Sequence, residues 1–261
     1  MAIHLRQICL VASELEPVVR DLEALLSINV CHVDPEVAHF GLENALLPVG
    51  SKFIEVVAPI QTGTAAGRFL ERRGGDGGYM VICQVPDLEE QASVRARAAA
   101  NKVRVAYEAD RGSWNIMQLH PRDMGAAFLE VDWDQQADMT GNWQPAGGSG
   151  WKDKVSTEVV SDILAVELQS ENPEALAARW AAVTGEPVVD DGGQILVRLA
   201  NAELRFVAAA TGTGESLSAL DLLVEDSTRL SEQARSRGLP MEGNQILIGG
   251  VRLNLVNRAT T

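Results

Sequence analysis

Residues 7–12, QICLVA, run directly into SELEPVVRDLEALL (13–26), and this strand-then-helix junction returns three more times along the chain. The second copy is MVICQV (80–85) before PDLEEQASVRARAAA. The third is AVELQS (165–170) before ENPEALAARWAAVTG, and the fourth is ALDLLV (219–224) before EDSTRLSEQARSRG. In the first helix Ser13 and Glu16 have the spacing of a capping box, and Val18, Val19, Leu22, Leu25 and Leu26 form one apolar stripe. In the third, Asn172-Pro173 supplies a cap followed by proline at the first helical position. Gly238 supplies a left-handed stop for the fourth.

Short strands follow each helix. After the first they read INVCHV (28–33), VAHFGLENALLPVG (37–50) and KFIEVVA (52–58). After the third they are EPVVDD, QILVRLA and AELRFVAA, and after the fourth GLPMEG and QILIGGVRLNLVN. The period-two alternation in ILVRLA and VRLNLV is that of half-buried strands. The chain therefore reads as an α+β protein of four βαβββ modules. Paired modules can close curved mixed sheets around a cavity that one sheet could not enclose. Residues 135–155, QQADMTGNWQPAGGSGWKDKV, are rich in glycine and polar residues without an apolar period, which suggests a linker. The expected organisation is a first domain over 1–134, a linker over 135–158 and a second domain over 159–261. Trp143 and Trp151 are expected to pack the linker onto a domain surface.

The 261 residues carry a net charge of −14 and a pI near 4.7, with 46% hydrophobic and 22% charged residues. That is globular composition. The acidity disfavours nucleic acid and anionic membranes as partners, leaving a small-molecule ligand and room for a homodimer. The first residues lack the charged n-region of a signal peptide, and the apolar runs are too short to span a membrane, so a cytoplasmic protein is expected. Cys9, Cys31 and Cys83 are scattered in apolar segments and suit reduced, buried thiols.

Glu55 interrupts the apolar run FIEVVA, and Glu130 interrupts AAFLEVDW. A carboxylate inside a strand is costly unless it meets water, a partner or a metal. Either both line a shared cavity, or both lie on the wetted face of an antiparallel sheet. Asn44 and Glu43 interrupt FGLENALLPVG, and one of them must face inward, with Asn44 a candidate to orient a substrate carbonyl. Tyr79, Trp114, Met117 and Phe128 could wall an apolar pocket or simply pack in the core. GRFLERRGGDGGYM (67–80) gathers Arg68, Arg72 and Arg73 beside glycines. It is either a mobile loop bringing arginines to an anionic group or a solvated linker.

The repeated module, with the segments RQICLVASELEPVVRDLEALL, KFIEVVAP and LHPRDMGAAFLEVDW, resembles the vicinal oxygen chelate superfamily, which includes glyoxalases, bleomycin-resistance proteins and extradiol dioxygenases. The likeness is greatest to its glyoxalase-like and methylmalonyl-CoA-epimerase-like branch. It implies two glyoxalase-like domains, the second degenerate. It also implies metal ligands on the first and last strands of paired modules. Those positions fall on Gln7, Glu55, Met80 and Glu130. Met80 departs from the pattern, because a thioether is a poor ligand for hard ions. Gln7, Glu55 and Glu130 would suit a divalent Zn, Ni, Co, Mn or Mg ion. His39 is the candidate to replace a missing nitrogen ligand, and His120, before Pro121, either stabilises a turn or lines the site. In the second half the same positions fall on Ala165, Arg205, Ala219 and Asn254, which is no metal set.

The implied activity is that of a lyase or isomerase (an epimerase included) working through an enolate, with Glu130 or Glu55 as base. The competing expectation is a metal-free binding protein of the bleomycin-resistance type that sequesters a small molecule in the same cavity.

Overall fold

The computed structural model describes residues 3–210 and 212–258. Strands β1 (His4–Val11), β2 (Leu42–Val49), β3 (Lys52–Pro59), β4 (Gly77–Val85), β5 (Val105–Asp110), β6 (Trp114–Leu119) and β7 (Phe128–Asp134) form a seven-stranded mixed sheet. Strands β8 (Val160–Ser170), β9 (Val188–Asp191), β10 (Gln194–Arg198), β11 (Glu203–Ala208), β12 (Ser216–Val224), β13 (Met241–Glu242), β14 (Gln245–Ile248) and β15 (Val251–Asn257) form an eight-stranded one. The helices are α1 (Leu15–Leu26), α2 (Ala65–Arg73), α3 (Leu88–Ala100), α4 (Pro121–Met124), α5 (Pro173–Thr184) and α6 (Ser227–Ser236). The strand-helix-strands reading thus holds for all four modules in outline.

The first module departs from it. INVCHV is not a strand; His32 makes a single bridge to Leu46, and Asp34-Pro35 then turn the chain into a 3-10 helix, Pro35–Phe40. Proline fixes its own φ and lacks an N–H, so a ladder cannot continue through it. The strand expected over 37–50 accordingly begins only at Leu42. The capping box is not formed either. Glu14 is the N-cap and makes no side-chain bond, while the backbone N–H and hydroxyl of Ser13 go to Asp76 Oδ1 at 2.8 and 3.1 Å. The GRFLERRGGDGGYM segment is neither loop nor linker over its first half. Thr64 accepts from Gly67 N at the start of α2, and Gly74 ends it in the left-handed region, where a side chain would be strained.

Packing divides the chain into two compact units, each drawn from three segments. The first contains residues 1–7, 79–142 and 165–218. Within it β7 lies between β4, in parallel, and β6, antiparallel, while α3 lies against β7, where Gln91 Nε2 donates to Val131 O at 2.8 Å. Helix α5 packs on β10 and β11, with Trp180 fully buried edge-on to Phe206 and its indole N–H on Gly125 O. Arg97 of α3 donates to the carbonyls of Val183 and Thr184, neutralising the exposed C-terminal carbonyls of α5.

The second unit contains residues 8–78, 143–164 and 219–261. In it β2 and β3 form an eight-residue hairpin ladder with Val49 opposite Lys52. Lys52 is buried but fully engaged, its ammonium 2.7 Å from Asp162 Oδ1 and 2.8 Å from Ile163 O. Trp143 and Trp151 are both buried as expected, Trp151 edge-on to Phe53 at 4.9 Å. Among the described residues no helix is long and apolar enough to cross a membrane.

Candidate functional site

The sequence FLEVDWD on β7 places a carboxyl at every second residue. Strand periodicity sends Glu130, Asp132 and Asp134 to one face and Leu129, Val131 and Trp133 to the other. All three carboxyls are buried, with Asp132 only 1% exposed. The neighbouring strands decide what each one meets. On β4, Met80 stands opposite Phe128, Ile82 opposite Glu130 and Gln84 opposite Asp132. On β6, Gln118 stands opposite Glu130 and Trp114 opposite Asp134. One sheet face within the first unit therefore carries Met80, Ile82, Gln84, Phe128, Trp114 and Gln118 around the three acids.

The acids are served unequally. Glu130 Oε2 accepts a hydrogen bond from Gln118 Nε2 at 2.7 Å, which favours the ionised carboxylate. Asp134 accepts from Asn142 Nδ2 at 2.6 Å and from Gln136 N at 2.7 Å. The oxygens of Asp132 meet no ordinary side-chain donor and lie against the Glu130 carboxyl and the Met117 backbone. Burial, followed by the neighbouring Glu130 charge, holds the Asp132 carboxyl well above the usual carboxylate range. Of the two carboxyls, Asp132 is thus the one pushed toward the protonated form. The Cys83 thiol is pushed up by burial and by the same two carboxyls, so it stays protonated and is no nucleophile.

Arg6 enters the same face from β1. Its guanidinium donates to Gln84 Oε1, to Asp138 O at 2.8 Å and to Gly141 O at 3.2 Å. Burial lowers its pKa to about 10, against the attraction of Asp138 and Asp134, and it remains a cation at neutral pH. Sequence reasoning singled out Glu130 but passed over Arg6, Gln84, Gln118 and Asp132. The signal for Asp132 was present as the alternation E-V-D-W-D, which repeats the inward register of Glu130.

Gln7 is buried and belongs to the first unit with Met80 and Glu130. Tyr79 is buried edge-on to Phe128 at 5.1 Å, and Trp114 is half-buried with the Arg111 guanidinium 5.8 Å from its ring. Met117 is fully buried and stands opposite Glu108. Glu55 and Asn44 belong to the second unit, where Asn44 Nδ2 donates to Glu55 Oε1 at 2.6 Å and its carbonyl accepts from Asp34 N. Asn44 faces inward and Glu43 outward. His39 and Arg68 are exposed, each hydrogen-bonded to a carbonyl of its own turn, Glu36 O and Gly63 O, so neither joins a buried face. His120 caps α4 by accepting from Arg122 N, and burial with nearby Arg104 lowers its pKa. In the second half, Arg205 donates to Glu167, and Asn254 donates to Asp221.

Beside His120, Arg104 grips Asp123 with two bonds of 2.6 and 2.9 Å and holds its carboxyl down at about 2. The folded value lies below the unfolded one, so this pair stabilises the fold above roughly pH 4 and loses that contribution as pH falls toward 2. A carboxyl NMR titration should place the Asp123 midpoint near 2, and Arg104→Ala should return it to the ordinary range.

The family resemblance implies a divalent ion. In the first unit the register positions offer one carboxylate, Glu130, one amide, Gln7, and the thioether of Met80. Among the described residues no three His, Cys, Asp or Glu side chains converge as a metal would require. One carboxylate already bound to Gln118, beside one amide and a thioether, is a poor donor set for a hard ion. The donors present in this unit do not fit a resident divalent metal.

The sequence profile of a family described as Glyoxalase-like domain matches residues 8–184. Among proteins of curated function, none matches this sequence. Among solved structures, a hypothetical protein from Staphylococcus aureus is 13% identical, with a TM-score of 0.68 over 99% of this chain and 100% of that one. A triple mutant of 4-hydroxymandelate synthase from Streptomyces coelicolor is 13% identical, with a TM-score of 0.66 over 99% and 93%. A Mn(II)-bound glyoxalase from Novosphingobium aromaticivorans is 11% identical, with a TM-score of 0.66 over 98% and 82%. At these identities the likeness is one of fold.

Proposed function

The chain belongs to the glyoxalase-like domain family of the vicinal oxygen chelate superfamily, and on that footing we propose that its β7 face is the site of a small-molecule isomerase or lyase in which Glu130 is the base. The observation that carries this reading is the inequality of two neighbouring buried carboxyls. Asp132 keeps its proton, and Glu130 is stabilised as a carboxylate by Gln118. Pairs of carboxyls whose surroundings separate their protonation are a hallmark of acid–base sites. Glu130 would remove a proton from the carbon α to a carbonyl of a small oxygenated substrate and return it to the same or the adjacent carbon. Met80, Ile82, Phe128 and Trp114 supply an apolar surround that strengthens the base by excluding water.

A solved relative in fold is a Mn(II)-bound glyoxalase, so the architecture is compatible with a divalent ion, yet the first-unit donors here are poorly suited to one. Met80 and the apolar surround also suit a second reading, a protein that binds and sequesters a small molecule without turning it over. The two readings part on proton transfer. In D₂O, wild-type protein should exchange the carbon-bound α-protons of a carbonyl compound such as hydroxyacetone, and Glu130→Gln should not. Binding without exchange in the wild type would favour sequestration.

A further inference from the structure

Helices α1 and α6 of the second unit flank a cleft of about 550 Å³. Its lining is cationic, in a chain whose net charge is −14. From α1 come Arg20 and Glu23. From α6 and its C-cap come Arg229, Gln233 and Arg237, spaced by four and so on one helix face. Three guanidinium groups thus share one space with a single carboxylate, and Glu23 is already committed, its Oε1 accepting from Val30 N at 2.9 Å. The acids paired with the arginines are Glu16, Asp21 and Glu158, and none of them lines the cleft. Each guanidinium has five N–H groups, and these pairs use few of them. Arg20 stands 3.7 Å from Glu16 Oε1, beyond hydrogen-bond distance. Arg229 gives one N–H to Glu158 Oε2 at 3.2 Å, and Arg237 gives two to one oxygen, Asp21 Oδ1, at 2.6 and 2.7 Å. Arg237 also suits the carbonyl end of α6, but Arg229 lies in its first turn, where the helix dipole disfavours a cation.

Cations gathered around one space repel one another unless an anion joins them. A neutral occupant leaves that repulsion in place. A carboxylate brings one charge and two oxygens to three guanidinium forks. A phosphate monoester brings about two charges and three terminal oxygens, which planar forks grip two at a time. The cleft has the volume of a small-molecule pocket rather than of a bare ion, and Ser27 and Asn29 add neutral polar groups for an organic part. We propose that this cleft binds a phosphorylated small molecule, its phosphate held by Arg20, Arg229 and Arg237. The site uses no residue of the β7 face and does not depend on the role of Glu130.

The test titrates the full chain, in phosphate-free buffer, with glycerol 3-phosphate, inorganic phosphate and acetate, following the backbone amide NMR signals of Ser27, Asn29 and Gln233. Glycerol 3-phosphate should bind about tenfold more tightly than acetate, the factor one further charge-assisted hydrogen bond supplies. Inorganic phosphate should bind more weakly than glycerol 3-phosphate; if it matches it, the cleft holds the ion alone and the small-molecule ligand is overturned. Arg20 and Arg229 are exposed, so Arg20→Gln and Arg229→Gln should fold normally, and each should weaken glycerol 3-phosphate about tenfold. Arg95→Gln removes the same charge from a surface pair with Glu108 on α3 and should leave the affinity unchanged. Equal binding of glycerol 3-phosphate and acetate would overturn the proposal. So would an equal loss in Arg95→Gln, which would make the attraction a matter of overall charge, or binding that survives the Arg20→Gln/Arg229→Gln double variant. A wild-type dimer that this double variant dissociates, with no binding of glycerol 3-phosphate, would give the cleft to an acidic surface of a second copy and overturn it as well.

Discussion

Asp132→Asn should make the protein more stable at neutral and alkaline pH. Wild-type Asp132 must keep a proton to remain buried beside Glu130, whereas in the unfolded chain it releases that proton near pH 4. The folded value is therefore the higher one, so the unfolded state binds fewer protons above pH 4. The stability tied to this group is fully present below that pH and is lost progressively as pH rises toward the folded value. Asparagine carries no titrating proton and can donate to the Glu130 carboxylate. The gain at pH 8 should be about 1–3 kcal/mol, the scale on which a buried polar group acts when its protonation no longer suits its surroundings. Urea unfolding at pH 4.5 and pH 8 measures it: the wild type should lose stability between the two, and the variant should lose much less. A wild-type slope that Asp132→Asn reproduces would mean that another group carries it.

The second large effect concerns rate. Glu130→Gln keeps the size of the side chain and an oxygen to accept from Gln118, so the fold and the melting temperature should change little. It removes the carboxylate that Gln118 holds on this face beside Asp132. Loss of a positioned general base costs about 10²–10⁴-fold in rate, and deuterium exchange should fall by that factor. Unaltered exchange in a folded Glu130→Gln variant would remove Glu130 from the chemistry.

Most of the architecture was legible because apolar periodicity changes from 2 to 3.6 at four similar junctions. What failed was local. INVCHV has the composition of a strand, but Asp34-Pro35 stop the ladder after one bridge at His32. Ser13 has the spacing of a cap, yet Asp76, 63 residues away, claims both its groups. At the site, Glu130 was found because a carboxylate stood out in an apolar run. Asp132 followed two residues later in a segment already read as polar at its end, so its burial was hidden. Gln84 and Arg6 carry no sequence signal of their own. Their role comes from cross-strand register, which the chain order does not display.

The most direct measurement is α-proton exchange of hydroxyacetone in D₂O, followed by ¹H NMR, with the protein first freed of metal by chelator and then supplied with Mn²⁺, Zn²⁺ or Ni²⁺. Exchange that proceeds in the chelated protein, is unchanged by the ions and is absent in Glu130→Gln is the expected result. Exchange that appears only when an ion is added would contradict it and return Glu130 to the metal-binding role that the family resemblance implies.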